Sequence, residues 1–480
     1  MRCKIHPSVR ITGVGLLALF LTLFLGKGPI QPILSQSSPH LGFGVNPKNP
    51  SHSGIGQMGF DWTKSFHTGG CTGYRTLVRI DVNAATLDDL NAWGEHLYQQ
   101  VMTEADCVEA WEIGNEPNID AAFGWNAPPN AADYTQVLCE AYRQIKAADP
   151  SAVVVSAGLA PVGRIPFSWN GHKGYCTPGT EWCVGYYQDE REFLREMLRA
   201  GAAACFDALG YHPYGYAAPY NAAPIEEDPH SPCKANDFCF RGVEKIHEIL
   251  FDEFGLDKQI WATEFGWIVD PRQVDRPECL EDPSMQPFQW MVVSPEEQAA
   301  NLVGAFQWAE EHYPWMGAMF VFNYGYSDSS CNQMGFFDIK GRPAEQALAE
   351  MSKNIVPSRP TWSGPGLTLV EEGQTRPIYG VATLRNLSPE MLYWSASVVS
   401  SSFPITLTST SGNEGVPLRF EADSTGLGLG IYTATLSVTV SNNIQNVSVS
   451  PSSQILYYNI RVVEKVYNCY MPVVLRSHFR

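Results

Sequence analysis

At 480 residues the chain is long enough for two or three domains, and with 44% hydrophobic against 17% charged residues it carries ample material for a large core. The net charge of −18, from 32 basic and 50 acidic residues, excludes the basic footprint of a nucleic-acid binder and leaves no polybasic patch for a membrane surface. Any chemistry must therefore come from particular side chains.

Residues 1–36 read as an export signal: Arg2, Lys4 and Arg10 precede an apolar run over 11–25, which Gly26-Lys27-Gly28-Pro29 breaks. The run is shorter than the roughly 20 residues that span a bilayer. No Ala-x-Ala cleavage site follows, so an uncleaved anchor at the outer face of the membrane stays open as a second reading. From residue 41 short apolar strands alternate with helical segments. The expected strands cover 41–46, 59–65, 76–82, a run through Val108, Ala110 and Ile113, 152–158, 206–212, a run through Ile260 to Ala262, and 318–323. Between them lie expected helices at 86–103 (with Thr86 as N-cap), 132–148, 189–200, 243–254 and 295–311, and a last one at 345–353. Eight strands in βα order predict an α/β fold, a (β/α)8 TIM barrel over 37–356, with the long inserts after the fifth, sixth and seventh strands on the catalytic face. Residues 357–365, rich in Pro and Ser, read as a linker. Alternating Ser, Thr and Val over 366–465 then predict an all-β immunoglobulin-like sandwich, before a tail at 466–480 too short to span a membrane.

Two glutamates sit where such strands end. Trp111-Glu-Ile-Gly-Asn-Glu116-Pro117 stops at proline, which lacks the ladder donor, and leaves Glu116 at the carboxyl end of the fourth strand. Ile260-Trp-Ala-Thr-Glu264-Phe-Gly266 places Glu264 at the end of the seventh. Either carboxylate alone is as often an ordinary ion-paired strand end, but two in this setting can flank one glycosidic bond. Asn115-Glu116-Pro117 followed by Thr263-Glu264-Phe265-Gly266 resembles the clan of retaining glycoside hydrolases built on (β/α)8 barrels, over residues 41–356. That resemblance implies Glu116 as acid/base and Glu264 as nucleophile. It implies Asn115 as a hydrogen-bond partner of the sugar 2-hydroxyl, His212 as a contact of substrate or carboxylate, and Tyr214 as a hydrogen-bond donor to the nucleophile. The catalytic segments look most like families acting on xylosides, xylans or glucans. Where the clan often has Trp at the end of the eighth strand, this chain has Phe322-Asn323-Tyr324, which leaves the sugar undetermined.

Arg79 is read either as a partner that keeps Glu264 ionised or as half of a structural pair with Asp81. Trp267, Trp290, Tyr324 and Tyr326 are candidates for stacking on sugar faces, and Asn323 for a polar contact. Eleven cysteines follow Cys3. Cys176 with Cys183 and Cys233 with Cys239 read as local disulfides, Cys71–Cys107 and Cys279–Cys331 as further pairs, and Cys139 and Cys205 as buried free thiols. No zinc-ligand spacing occurs, so neither metal nor cofactor is expected. The expectation is a secreted, monomeric retaining glycoside hydrolase acting on a carbohydrate, with no nucleic-acid partner. The competing reading is a non-catalytic carbohydrate-binding or cell-surface protein. The all-β segment, which resembles bacterial BACON-type modules, reads as a spacer.

Overall fold

The computed structural model describes residues 41–66, 71–162, 172–173, 186–233, 238–327, 330–354, 356–387, 390–444 and 446–464. The expected export signal, the expected Cys176–Cys183 pair and the tail from 465 lie outside them.

Eight parallel strands form the first part: β1 Gly42–Pro47, β2 Trp62–Ser65, β3 Arg75–Ile80, β4 Ala110–Ile113, β5 Val153–Ser156, β6 Leu209–Tyr211, β7 Ile260–Phe265 and β8 Met316–Tyr324. Hydrogen bonding runs β5-β4-β3-β2-β1-β8-β7-β6. Bridges Val155↔Ala208 and Leu159↔Tyr211 join β5 to β6, so the sheet closes on itself. Six of the eight strands are buried along their whole length, as parallel strands covered by helices must be. The helices start on strong caps. Asn130 accepts from the backbone N–H groups of Ala132 and Asp133 ahead of Ala131–Ala148. Ser294 and Glu297 form a capping box ahead of Pro295–His312. The helix expected from Thr86 begins instead at Leu90, because Asn83 and Thr86 cap a tighter turn over Ala84–Asp89 and Asp89 caps the α-helix.

Period-two alternation sorts the inward side chains into layers. Trp62, Leu77, Ala110, Val155, Ala208, Trp261 and Phe320 form one apolar cluster across the strands. Two residues further along β2, β3 and β4 come Lys64, Arg79 and Glu112, which places three charges one layer nearer the strands' carboxyl ends.

Beyond the barrel, two sheets of four and five strands share one core built around Trp362, Trp394, Phe403, Phe420 and Tyr458. The expected linker is not a tether. Pro360–Ser363 is a buried strand paired with Ile378–Asn386, and Ser358 and Arg359 before it are buried too. Its polar groups bind the barrel. Gln259 donates to the carbonyls of Arg359 and Pro360 at 2.9 and 3.2 Å, and Ser363 donates to the Ala152 carbonyl at 2.8 Å. Leu387 of the module joins the barrel's own apolar cluster, and Arg75 donates to the carbonyls of Leu387 and Asn386.

Four disulfides are present among the described residues: Cys71–Cys107, Cys139–Cys205, Cys233–Cys239 and Cys279–Cys331. The second corrects the free-thiol reading. The helix Ala131–Ala148 carries Cys139 alongside Cys205, with a Cα separation of 4.7 Å. This usage fits an oxidising compartment. No described helix is long and apolar enough to cross a membrane.

Asp207 ties module to barrel. Its carboxylate meets the Lys146 ammonium at 2.5 Å, the Tyr142 hydroxyl at 3.1 Å and the backbone N–H groups of Val154 and Gly364 at 2.8 and 3.0 Å. Asp207→Ala strands the Lys146 charge, so urea unfolding should show a loss of about 3–5 kcal/mol.

Candidate active site

The carboxyl ends of the strands bring a cluster of ionisable groups together. Gly114 ends β4 in the left-handed region at φ 92°, and Glu116 itself sits at φ 43°. A non-glycine residue held there carries backbone strain, and two hydrogen bonds fix it: its N–H donates to the Gly158 carbonyl at 3.0 Å, and its carbonyl accepts from Ile119 at 3.1 Å. Glu116 Oε1 lies 2.8 Å from His212 Nδ1, and the imidazole is fully buried. Among the described residues no lysine or arginine lies within ion-pair distance of Glu116.

Glu264, at the end of β7, has the opposite surroundings. Its Oε1 accepts from Lys64 Nζ at 3.0 Å and lies 3.8 Å from the Arg79 guanidinium. Its Oε2 accepts from the Tyr214 hydroxyl at 2.8 Å and lies 3.9 Å from His212 Nδ1. Burial pushes this carboxyl up, but Lys64, His212 and Arg79 together outweigh it and hold the group at about 2. The Tyr214 hydroxyl is pushed well up, by burial first and then by the charge of Glu264. It therefore stays a donor. One imidazole nitrogen thus stands between the two carboxylates, whose facing oxygens can be no further apart than its two contact distances combined, 6.7 Å.

Lys64 is the residue the sequence reading missed. It is fully buried and reaches Glu112 Oε2 at 2.6 Å as well as Glu264, while Glu112 also accepts from the Gly158 N–H at 3.2 Å. Both charges were visible as ionic residues two positions beyond an inward apolar one in a buried strand, a setting that demands a partner. Arg79 serves both of its readings. It pairs with Asp81 at 2.8 Å, approaches Glu264, and donates to the Asn115 side-chain oxygen at 3.0 Å. The Asn115 amide nitrogen donates to the Phe123 carbonyl at 2.9 Å.

Three proposed substrate contacts need correction. Trp267 is fully buried and its indole N–H donates to the Ala218 carbonyl at 2.8 Å, so it offers no face to a sugar. Tyr324 turns away from the carboxylates and donates to Glu345 at 2.7 Å. Asn323 is fully buried, with its amide on the Met334 carbonyl at 2.9 Å. Phe322 packs 6.1 Å from the Tyr214 ring, and Tyr326 stands near enough to Glu264 that burial and this charge push its hydroxyl up to about 12. Trp290 is 47% exposed. No cluster of potential metal ligands occurs among the described residues.

No protein-family model matches the chain, and no curated protein matches it in sequence. Among solved structures it is similar to a family 39 glycoside hydrolase from the gut symbiont Bacteroides cellulosilyticus WH2, with a TM-score of 0.45 and 15% identity over 81% of either chain. It is also similar to a β-glucuronidase from Bacteroides uniformis, with a TM-score of 0.38 and 11% identity over 85% of this chain and 43% of that one. A β-galacturonidase from Eisenbergiella tayi gives 0.39 and 12% over 65% of this chain and 51% of the other. Likenesses of this size say nothing about chemistry. The barrel rests on its own closed sheet, and the site on its own distances.

Two outcomes follow from the charge on Glu264. Its folded pKa lies below the ordinary 4.5, so the ionised form stabilises the fold above that pH, and this contribution is lost as pH falls toward about 2. Unfolding midpoints measured from pH 6 to 2.5 should drop over that window, and drop less in Glu264→Gln. Lys64→Met removes the nearest cation, so NMR titration of the Glu264 carboxyl should give a raised pKa.

Proposed function

We propose that this chain is a retaining β-glycosidase that cleaves β-linked oligo- or polysaccharides, xylan- or glucan-like, by double displacement. The observation that carries the reading is the asymmetry between two strand-end carboxylates around His212. Glu264 is ionised by two cations and a phenol donor, whereas Glu116 among the described residues pairs with the imidazole and with no lysine or arginine. A Glu116 Oε1 to Glu264 Oε2 separation of at most 6.7 Å is compatible with the roughly 5–5.5 Å carboxyl spacing of retaining enzymes.

In this reading Glu264 Oε attacks the anomeric carbon while the protonated Glu116 gives its proton to the leaving oxygen, and the glycosidic C–O bond breaks. Glu116, now a carboxylate, takes a proton from water, whose oxygen displaces Glu264 and frees the sugar. Tyr214 steadies the nucleophile's free oxygen, and Arg79 with Asn115 faces the sugar's 2-hydroxyl. The roles require no metal or organic cofactor. Export as a monomer and an immunoglobulin-like spacer role for the module belong to the same proposal.

The test is product release from aryl β-glycosides and plant and fungal polysaccharides. Glu264→Ala should lose turnover by about 10⁴-fold or more without unfolding. Glu116→Ala should retain attack on substrates with activated aryl leaving groups, and azide should restore turnover as a β-glycosyl azide. Silence across the panel with glycan binding intact would instead identify a carbohydrate-binding protein.

A further inference from the structure

The segment that ends β6 delivers side chains alternately into the site. His212 reaches Glu116 and Tyr214 reaches Glu264. Tyr216, the next in the alternation, has no part in either contact. Its ring lies under Trp290 with centroids 5.4 Å apart and planes within 12° of parallel, and Phe238 leans against both rings at 4.5 and 5.4 Å. The result is two aromatic rings carrying a tryptophan whose surface is 47% exposed.

This stack is held rigidly from below. The Tyr216 hydroxyl donates to the Pro161 carbonyl at 3.0 Å, just beyond β5. At Gly215 a β-carbon would fall 1.8 Å from Trp267 Cε2, so only glycine lets the segment lie on that buried indole. The Cys233–Cys239 disulfide closes the short loop that carries Phe238. Cys279–Cys331 fastens the insert that carries Trp290, and within it Cys279, Met285 and Met291 form a buried cluster with Phe336 against which Tyr216 packs. Rings already fixed lose little freedom when a ligand covers them. The stack also has a definite side. The segment beyond β5 holds both Tyr216 and Glu116: the Pro161 carbonyl accepts from the Tyr216 hydroxyl, and three residues earlier the Gly158 carbonyl accepts from the Glu116 N–H at 3.0 Å. Tyr216 is therefore tied to the segment that seats the acid/base.

A flat, half-exposed indole stacked on a tyrosine that shares its anchoring segment with the acid/base suits the apolar C–H face of the departing sugar. We propose that Trp290, seated on Tyr216 and Phe238, is the stacking platform for the leaving-group sugar, and that the enzyme is therefore built for β-linked oligosaccharides rather than single glycosides. This rests on the glycosidase reading above.

Hexaose binding can be judged apart from chemistry. The full-length Glu264→Gln protein, alone and combined with Trp290→Ala or Trp290→Phe, is titrated calorimetrically with β-1,4-xylohexaose, cellohexaose and laminarihexaose. The same hexaoses are then given to the proteins that keep Glu264. Trp290→Ala should weaken binding of the recognised hexaose about tenfold, the size of one stacking contact, and Trp290→Phe should recover most of it. With Glu264 present, the loss should appear in kcat/KM for that hexaose. Unchanged binding in Trp290→Ala, or no binding of any hexaose, overturns the platform. Binding that depends on Trp290 in a protein that turns over none of the three supports the platform while removing the hydrolase reading.

Discussion

The constraint on which the site depends is the buried ion pair that Lys64 makes with Glu112 and Glu264. All three groups are at or near full burial, and taking them out of water costs several kcal/mol each unless their geometry is satisfied. The distances of 2.6 and 3.0 Å offset that cost only when β2, β4 and β7 keep their places in the closed sheet. Closure of the barrel and ionisation of Glu264 are thus one requirement seen from two sides. The apolar layer beneath keeps water out of the pair and so keeps its electrostatics strong.

A second layer of order comes from the end of β6. His212, Tyr214 and Tyr216 leave the strand in alternation, and each meets a different part of the cleft. Their backbone lies on the buried Trp267, so the tryptophan expected to hold sugar instead supports the residues around the carboxylates. Gly158 serves the same arrangement from β5, since a β-carbon there would fall 2.2 Å from the His212 ring. These contacts link the groups around the two carboxylates to packing far from solvent. The arrangement at the mouth of the barrel depends on small residues beneath it.

At the opposite end the all-β module closes the barrel rather than trailing from it. Leu387 enters the barrel's apolar cluster, and the Asp207–Lys146 pair lies against the strand Pro360–Ser363. Proline and serine, read as linker composition, here supply a buried edge strand whose side chains and carbonyls find partners on the barrel. Composition alone does not distinguish a tether from an edge strand, because both tolerate proline.

The order of strands and helices was legible in the sequence, since period-two and helical patterns and the flanking caps are local properties. So was the placement of Glu116 and Glu264, because Pro117 and Gly266 punctuate the ends of their strands. The resemblance placed His212 and Tyr214 beside them. Which cation would neutralise Glu264 was not legible. Lys64 lies 200 residues away in a four-residue strand, and only closure of the sheet brings them to 3.0 Å. The fates of Trp267, Tyr324 and Asn323 were equally hidden, for an aromatic or amide at a strand end faces cleft or core according to packing from other elements. The Cys139–Cys205 bond likewise joins two segments that meet only in the folded chain. Local pattern determined the elements and their punctuation; contact across the closed barrel decided the charges, the exposed rings and the geometry of the site.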